Sequence, residues 1–231
     1  MLAGPLQNNY LAGHAAVPAG FELLYADDSL LVLDKPAGLL SVPGKGEDKQ
    51  DCLSTRVQQH YPEALVVHRL DMATSGLMLM ARSSAVQRLL SQAFAGREVH
   101  KTYEAVVHGR VHHPLENKDL WNVIDLPVAV DWPRRPLRVI DAATGKASVT
   151  RWQVRAHGAD QTRLALEPVT GRSHQLRVHL QAMGHPILGD RLYAPEAVQA
   201  LAPRLLLHAC TLRLPHPVTG TALRFESAVP F

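Results

Sequence analysis

Cysteine is nearly missing from this chain. Only Cys52 and Cys210 occur among 231 residues. They form no close metal-ligand pair and no disulfide framework, so a reducing compartment is the simple expectation. Long apolar runs are missing too. None approaches the ~20 residues of a membrane span, and "MLAGPLQNNYLAGHAAVPAG" lacks the charged start and continuous apolar core of a secretory signal. These gaps imply a soluble cytoplasmic protein without membrane attachment. There is no GxxxxGK, no GxSxG and no GxGxxG before a helix. ATP use, serine hydrolysis and dinucleotide binding therefore lose their usual signatures.

What remains is an ordinary globular composition, with 46% hydrophobic and 19% charged residues. The length suits one large domain or two small ones and can bury a sizeable core. The formal net charge is +3 with thirteen histidines, and the pI is about 9.0. That balance permits a polyanionic partner without demonstrating one.

Residues 1–20, rich in Ala, Gly, Asn and Pro, read as a loose arm. Phe21–Tyr25 and Leu30–Leu33 read as short strands around an "ADDS" turn, and "DKPAG" stops the second. "CLSTRVQQHY" places Leu53 and Val57 at helical spacing, and Leu77–Ala81 reads as a buried strand. The clearest helix is "SSAVQRLLSQAFAG", with a serine cap at 83 or 84 and Gly96 at its end. "HKTYEAVVHG" alternates, so Tyr103, Ala105 and Val107 share a face. Residues 112–146 read as a long excursion with short strands. "ASVTRWQVRA" and "TRLALEPV" pair across "HGADQ", "TGRSHQLRVHLQAMG" leads into a helix ending at Gly184, and two final strands flank "PHPVTGT". No repeat, low-complexity segment or linker divides the chain.

Three stretches bring polar chemistry to element ends: "HRLDMATSG" (68–76), "KTY" (101–103) and "TGRSHQLRVH" (170–179). Asp71, just before a buried strand, is a carboxylate near low-dielectric ground and needs a partner. Arg172 suits it, because a guanidinium forks onto a carboxylate through two hydrogen bonds. Such pairing keeps Asp71 ionised, hence nucleophilic or basic. Tyr103 adds a ring face fit for a planar substrate such as a nucleobase. The plainer alternatives are that Asp–Arg pairs are usually structural and that a tyrosine in an alternating strand is more often core. His174 and His179 stand five apart, which misses the spacing that puts two ligands on one helical face, so no metal site is expected. Arg134 and Arg135 are candidate phosphate contacts, or simply solvent-facing. The Trp of the same segment either touches RNA or packs under a loop.

Together these stretches resemble the RluA-type pseudouridine synthases. "HRLDMATSG" matches the family's HRLDxxTSG element, and "KTY" its tyrosine element. "TGRSHQLRVHL" with "GHPILGD" matches the third, "LLLHACTLRLPHP" the closing leucine element and "LDKPAGLLSVPG" the opening segment. The matches run in order over residues 21–231, and their details are those of the short, dual-specificity members. The resemblance implies an α+β fold, a mixed and mostly antiparallel central sheet with flanking helices and a catalytic cleft. It implies a single catalytic domain over 21–231, with no S4-like RNA-binding domain in the arm. Asp71 would be the catalytic aspartate, Tyr103 the ring that stacks on the target base and helps remove its C5 proton, and Arg172 the partner of Asp71. Arg69, with His68 beside it, would help hold the target uridine outside its stack. Leu207 or Leu206 would line the pocket.

The implied reaction moves uracil from an N1 to a C5 link on ribose. It loses no atoms and needs no cofactor. The implied partners are RNA rather than DNA: a 23S rRNA hairpin loop and the anticodon stem-loop of some tRNAs, met by a monomer. A base-excising glycosidase using the same residues, or a non-catalytic RNA-binding protein, are the rival readings.

Overall fold

Twelve strands and four α-helices are found among the described residues, 20–112 and 120–231, of the computed structural model. In chain order they are β1 (Glu22–Ala26), β2 (Leu30–Lys35), α1 (Leu53–Gln58), β3 (Leu65–Val66), β4 (Ser75–Ala81), α2 (Ser84–Ala95), β5 (His100–His108) and β6 (Asn122–Asp125). Then come β7 (Val128–Val130), β8 (Arg138–Ile140), β9 (Val149–His157), β10 (Gln161–Pro168), α3 (Gln175–Ala182), α4 (Glu196–Gln199), β11 (Leu207–Pro215) and β12 (Ala222–Glu226). The arm expected over 1–20 lies, except for Gly20, outside the described residues. The chain clusters into two compact units. One runs to Lys101 and takes back Ala209–Val229; the other holds Thr102–His208 with Pro230–Phe231.

In the first unit the "ADDS" turn forms because the Asp27 carboxylate accepts from the amides of Ser29 (2.7 Å) and Leu30 (2.8 Å). β1, β2, β4 and β11 lie side by side, with β12 next to β11 and β3 against the end of β4. The β1–β2, β2–β4, β3–β4 and β11–β12 pairs are antiparallel. β2 continues through Asp34 and Lys35 rather than stopping at Leu33, because β4 pairs with it as far as Lys35↔Gly76. The unbroken apolar text of β4 has a simple cause, a cover on both faces. Leu77, Leu79 and Ala81 join Leu30, Val32 and the α2 residues Val86 and Leu90. Met78 and Met80 join Leu31, Leu33 and the α1 residues Leu53 and Val57. Helix α2 starts where Ser83 Oγ accepts from the Val86 amide (3.2 Å) and ends at Gly96. Gly76 takes φ 111°, and a Cβ there would sit 2.3 Å from the Ala209 carbonyl oxygen. The glycine of "TSG" is what lets β11 lie close.

In the second unit β5, β10, β9 and β6 run antiparallel in that order. The excursion contributes β6 and the separate β7–β8 hairpin, apart from 113–119, which lie outside the described residues. Val178 of α3 and Tyr193 pack on Val128, Leu137 and Ile140 of this hairpin. The fold is α+β with a mostly antiparallel sheet and flanking helices.

Candidate active site

Asp71 opens the short turn that leads into β4, and the Thr74 amide donates to its carbonyl (3.1 Å). The neighbouring main chain is held from the "LDKPAGLLS" segment. Lys35 is completely buried, and its ammonium donates to the carbonyls of Pro36 (2.8 Å), Leu39 (2.8 Å) and Met72 (3.1 Å). The Gly38 amide reaches the same Met72 oxygen (2.8 Å). Ser41 Oγ donates to the Leu70 carbonyl (2.7 Å) and accepts from the Leu70 amide (3.1 Å). An ammonium survives burial only when its protons are matched by acceptors, and here those acceptors are the backbone on each side of a loop. Asp71 is thus bracketed at residues 70 and 72 and is itself half-buried.

His68 turns into the first unit. Its Nε2 accepts from the Leu79 amide of β4 (2.9 Å), and its ring lies 4.7 Å from that of Phe94, centroid to centroid. The Lys101 ammonium lies 5.3 Å from the centre of the same Phe94 ring. Burial, and then the nearby Lys101 charge, push the imidazole down to about 3. Burial also lowers Lys101. An accepting Nε2 and a depressed pKa agree: His68 is neutral with its proton on Nδ1. Arg69, next in the chain, is exposed.

In the second unit, Tyr103 is 9% exposed and shares the inward side of β5 with Ala105 and Val107. It pairs with Leu166 of β10. Arg172 is exposed, and its Nε donates to the Ala147 carbonyl at a long 3.4 Å. Its backbone is better fixed. Gln175 Oε1 accepts from the Arg172 amide (3.1 Å) and from Thr170 Oγ1 (2.7 Å). Gln175 Nε2 donates to the Val149 carbonyl and to Thr150 Oγ1, each at 3.0 Å. His179 completes the set. Its Nε2 lies 2.9 Å from the Leu126 carbonyl, which only accepts, so Nε2 carries the proton. Burial lowers its pKa, and the neutral ring then accepts at Nδ1 from the Thr150 hydroxyl (2.9 Å). His174 sits at φ 58°, a left-handed conformation, just before α3, with Nδ1 2.6 Å from Tyr193 Oη. Beneath, Arg177 donates twice to the Asp190 carboxylate (2.8 and 2.6 Å), both side chains buried.

This polar order, around the two turns that the sequence singled out, accompanies direct similarity to proteins of known class. A model of the RNA pseudouridylate synthase family matches residues 29–182. The chain belongs to that family. It is 49% identical over 210 residues to the dual-specificity RNA pseudouridine synthase RluA of Escherichia coli K12, covering 90% of this chain and 93% of that one. To the protein of the same name from Yersinia pestis it is 48% identical, covering 90% and 99%. Among solved structures, human RNA pseudouridylate synthase domain containing 1 superposes with a TM-score of 0.75 at 26% identity, covering 95% and 87%. Membership makes the chain an RNA-modifying isomerase.

Within this family frame, the sequence-predicted residues divide between the units. His68, Arg69 and Asp71 belong to the first; Tyr103, Arg134, Arg135, Arg172, Leu206 and Leu207 belong to the second. The β7–β8 hairpin of Arg134 and Arg135 is tied to His174, two residues beyond Arg172: the Arg138 amide donates to Tyr193 Oη (2.9 Å), which meets His174. Leu207 is buried at the head of β11, while Leu206 packs on Val106, Leu188 and Val198. Sequence reasoning missed Lys35, Ser41, Gln175 and Tyr193 as supports. A lysine inside an apolar strand, in "LLVLDKP", was the available signal for the first. The other three are ordinary polar residues whose partners lie far away in sequence. His174 and His179 are engaged by protein groups, and no group of three or more His, Cys, Asp or Glu among the described residues is placed to hold a metal.

Proposed function

We propose that this synthase acts on two RNAs, a hairpin loop of 23S rRNA and the anticodon stem-loop of some tRNAs. The observation that carries this reading is the near-full-length similarity to relatives named for dual specificity. RNA is read chiefly at unpaired loops, and two substrates need only a common loop sequence and shape. Asp71 is the catalytic carboxylate, acting either at C1′ or on a ribose proton. The target base leaves its stack, at a cost of a few kcal/mol that is least in a loop. Tyr103 supplies the ring on which it stacks, and Arg172 the cation that keeps a carboxylate ionised. Arg69 holds the uridine out, with His68 anchoring the turn behind it. Leu207 is the apolar lining. Water must be kept from the sugar while the detached uracil rotates. Residues 21–231 work as one catalytic domain, as a monomer, in the cytoplasm and without a cofactor; among the described residues no helix is long and apolar enough to cross a membrane.

The test is tritium release from [5-³H]uridine-labelled anticodon stem-loop and 23S hairpin transcripts. Wild type releases tritium from both. Asp71→Asn releases none while keeping its fold and RNA affinity. Activity in that variant would remove Asp71 from the chemistry. Free uracil in the wild-type reaction would mark a glycosidase, and silence on both transcripts would overturn the substrate pair.

A further inference from the structure

Trp132 is 66% exposed, the most exposed large apolar side chain among the described residues. A single exposed apolar residue needs no explanation by itself. Here three further observations bear on it. The Arg135 guanidinium lies 3.7 Å from the centre of the indole ring, a close stack that leaves the side chain largely open to solvent. The tip is firmly built. The Asp131 carboxylate, itself buried, accepts from the Arg134 amide (3.2 Å) and Nε (2.7 Å), while main-chain bonds join Asp131 to Leu137 and Leu137 to Arg134. And the strand that follows the tip is anchored, its Arg138 amide donating to Tyr193 Oη, which meets His174 at the start of α3.

Charge settles the kind of partner. From Trp132 to Ile140 the segment carries Arg134, Arg135 and Arg138 and no acidic residue. The nearest carboxylate, Asp131, is already neutralised by Arg134. A planar ring backed by a guanidinium and surrounded by positive charge suits a base with its phosphate, and unpaired bases in RNA are commonly held on aromatic rings or guanidinium planes. A tryptophan with only a packing role is buried, as Trp152 of β9 is at 4% exposure.

We propose that Trp132, backed by Arg135, is a stacking platform for an unpaired base of the RNA substrate other than the target uridine. The platform rests on the RNA-modifying activity of the family and adds a contact beyond the reacting nucleotide. Its ring supplies affinity and Arg135 supplies a phosphate contact.

The experiment titrates the full chain with the unlabelled anticodon stem-loop transcript, following tryptophan emission and Kd together. Trp132→Ala raises Kd about tenfold, the size of one lost base stack. Trp132→Phe keeps Kd within about threefold of wild type because a ring remains. Either variant loses most of the quench. The slope of log Kd against log salt is unchanged in Trp132→Ala and falls by about one in Arg135→Ala. Wild-type affinity in Trp132→Ala, or an undiminished quench, would overturn the platform. Tritium release from the same transcript reads the substrate assignment separately. Quenching at Trp132 without release overturns that assignment and keeps the platform; release with binding that ignores Trp132 does the reverse.

Discussion

The turn that carries Asp71 and the turn that carries Arg172 are each pinned at the main chain by a side chain from outside the turn, but the supports behind those side chains differ. The first is held through its main chain, by a buried ammonium and a hydroxyl that reach the carbonyls of Met72 and Leu70. The second is held through a lattice of side chains, Thr170, Gln175, Thr150 and His179, above the buried Arg177–Asp190 pair. Main-chain clamps fix where a loop runs and leave its side-chain chemistry to be chosen for reaction. A side-chain lattice fixes orientation, and here the unit that carries it also holds a buried charged pair, Arg177 with Asp190. The first arrangement suits a residue proposed to do chemistry, the second a residue proposed to present a cation to a carboxylate.

The sharpest way to break this comparison is to open the buried pair. Arg177→Met leaves Asp190 charged and without its guanidinium, and costs about 3–5 kcal/mol in stability. Denaturant unfolding will show it, with Asp190→Asn on the same background recovering part of the loss. A small loss would mean the pair is not what supports the α3 turn.

Lys35→Met comes next. The carbonyls of Pro36, Leu39 and Met72 lose a charged donor, at roughly 2–3 kcal/mol, and turnover falls with the misplacement of Asp71. Ser41→Ala, with one hydroxyl lost, costs about 1 kcal/mol. If both variants fold less well yet turn over RNA at the wild-type rate, the clamps are structural only.

The third effect depends on pH. The His68 imidazole titrates near 3 when folded, against 6.5 as its ordinary value. Between those values the unfolded chain binds the extra proton, so stability is complete above 6.5 and is lost as the pH falls toward 3. The slope is at most about 1.4 kcal/mol per pH unit. His68→Gln keeps an acceptor for the Leu79 amide but does not titrate, so its stability profile is flatter in that window. An unchanged profile would place the acid sensitivity elsewhere, Asp27 being a candidate because its pKa is lowered.

The smallest stability effect belongs to Arg172→Ala. An exposed guanidinium with one long bond to Ala147 contributes less than about 0.5 kcal/mol to folding, so melting hardly moves while tritium release collapses. A drop in melting as large as that of Ser41→Ala would show that the guanidinium holds its own turn.

Much of this was readable beforehand, for local reasons. Helix α2 announced itself through its apolar face, its Ser83 cap and Gly96. The β9–β10 hairpin showed its alternation around "HGADQ". Asp71, Tyr103 and Arg172 were singled out as candidates, although Tyr103 lies inside β5 rather than at its end, and ordered family elements gave the activity. Smaller errors came from long-range pairing. β4 starts at Ser75 rather than Leu77, and β2 runs on to Lys35, because each is extended by its neighbour rather than by its own propensity.

The sequence by itself determined the fold class, the family and the reaction, since apolar period, caps, turn residues and ordered motifs are written in consecutive residues. Only the tertiary structure decided that Lys35 is a buried clamp, that His68 is held neutral against β4, that Gln175 and Tyr193 fix the turn of Arg172, and that Trp132 faces solvent with Arg135 on its ring. Each of these is a matter of burial or of partners distant in sequence. A lysine or a tryptophan carries no local mark of which side of the surface it will occupy.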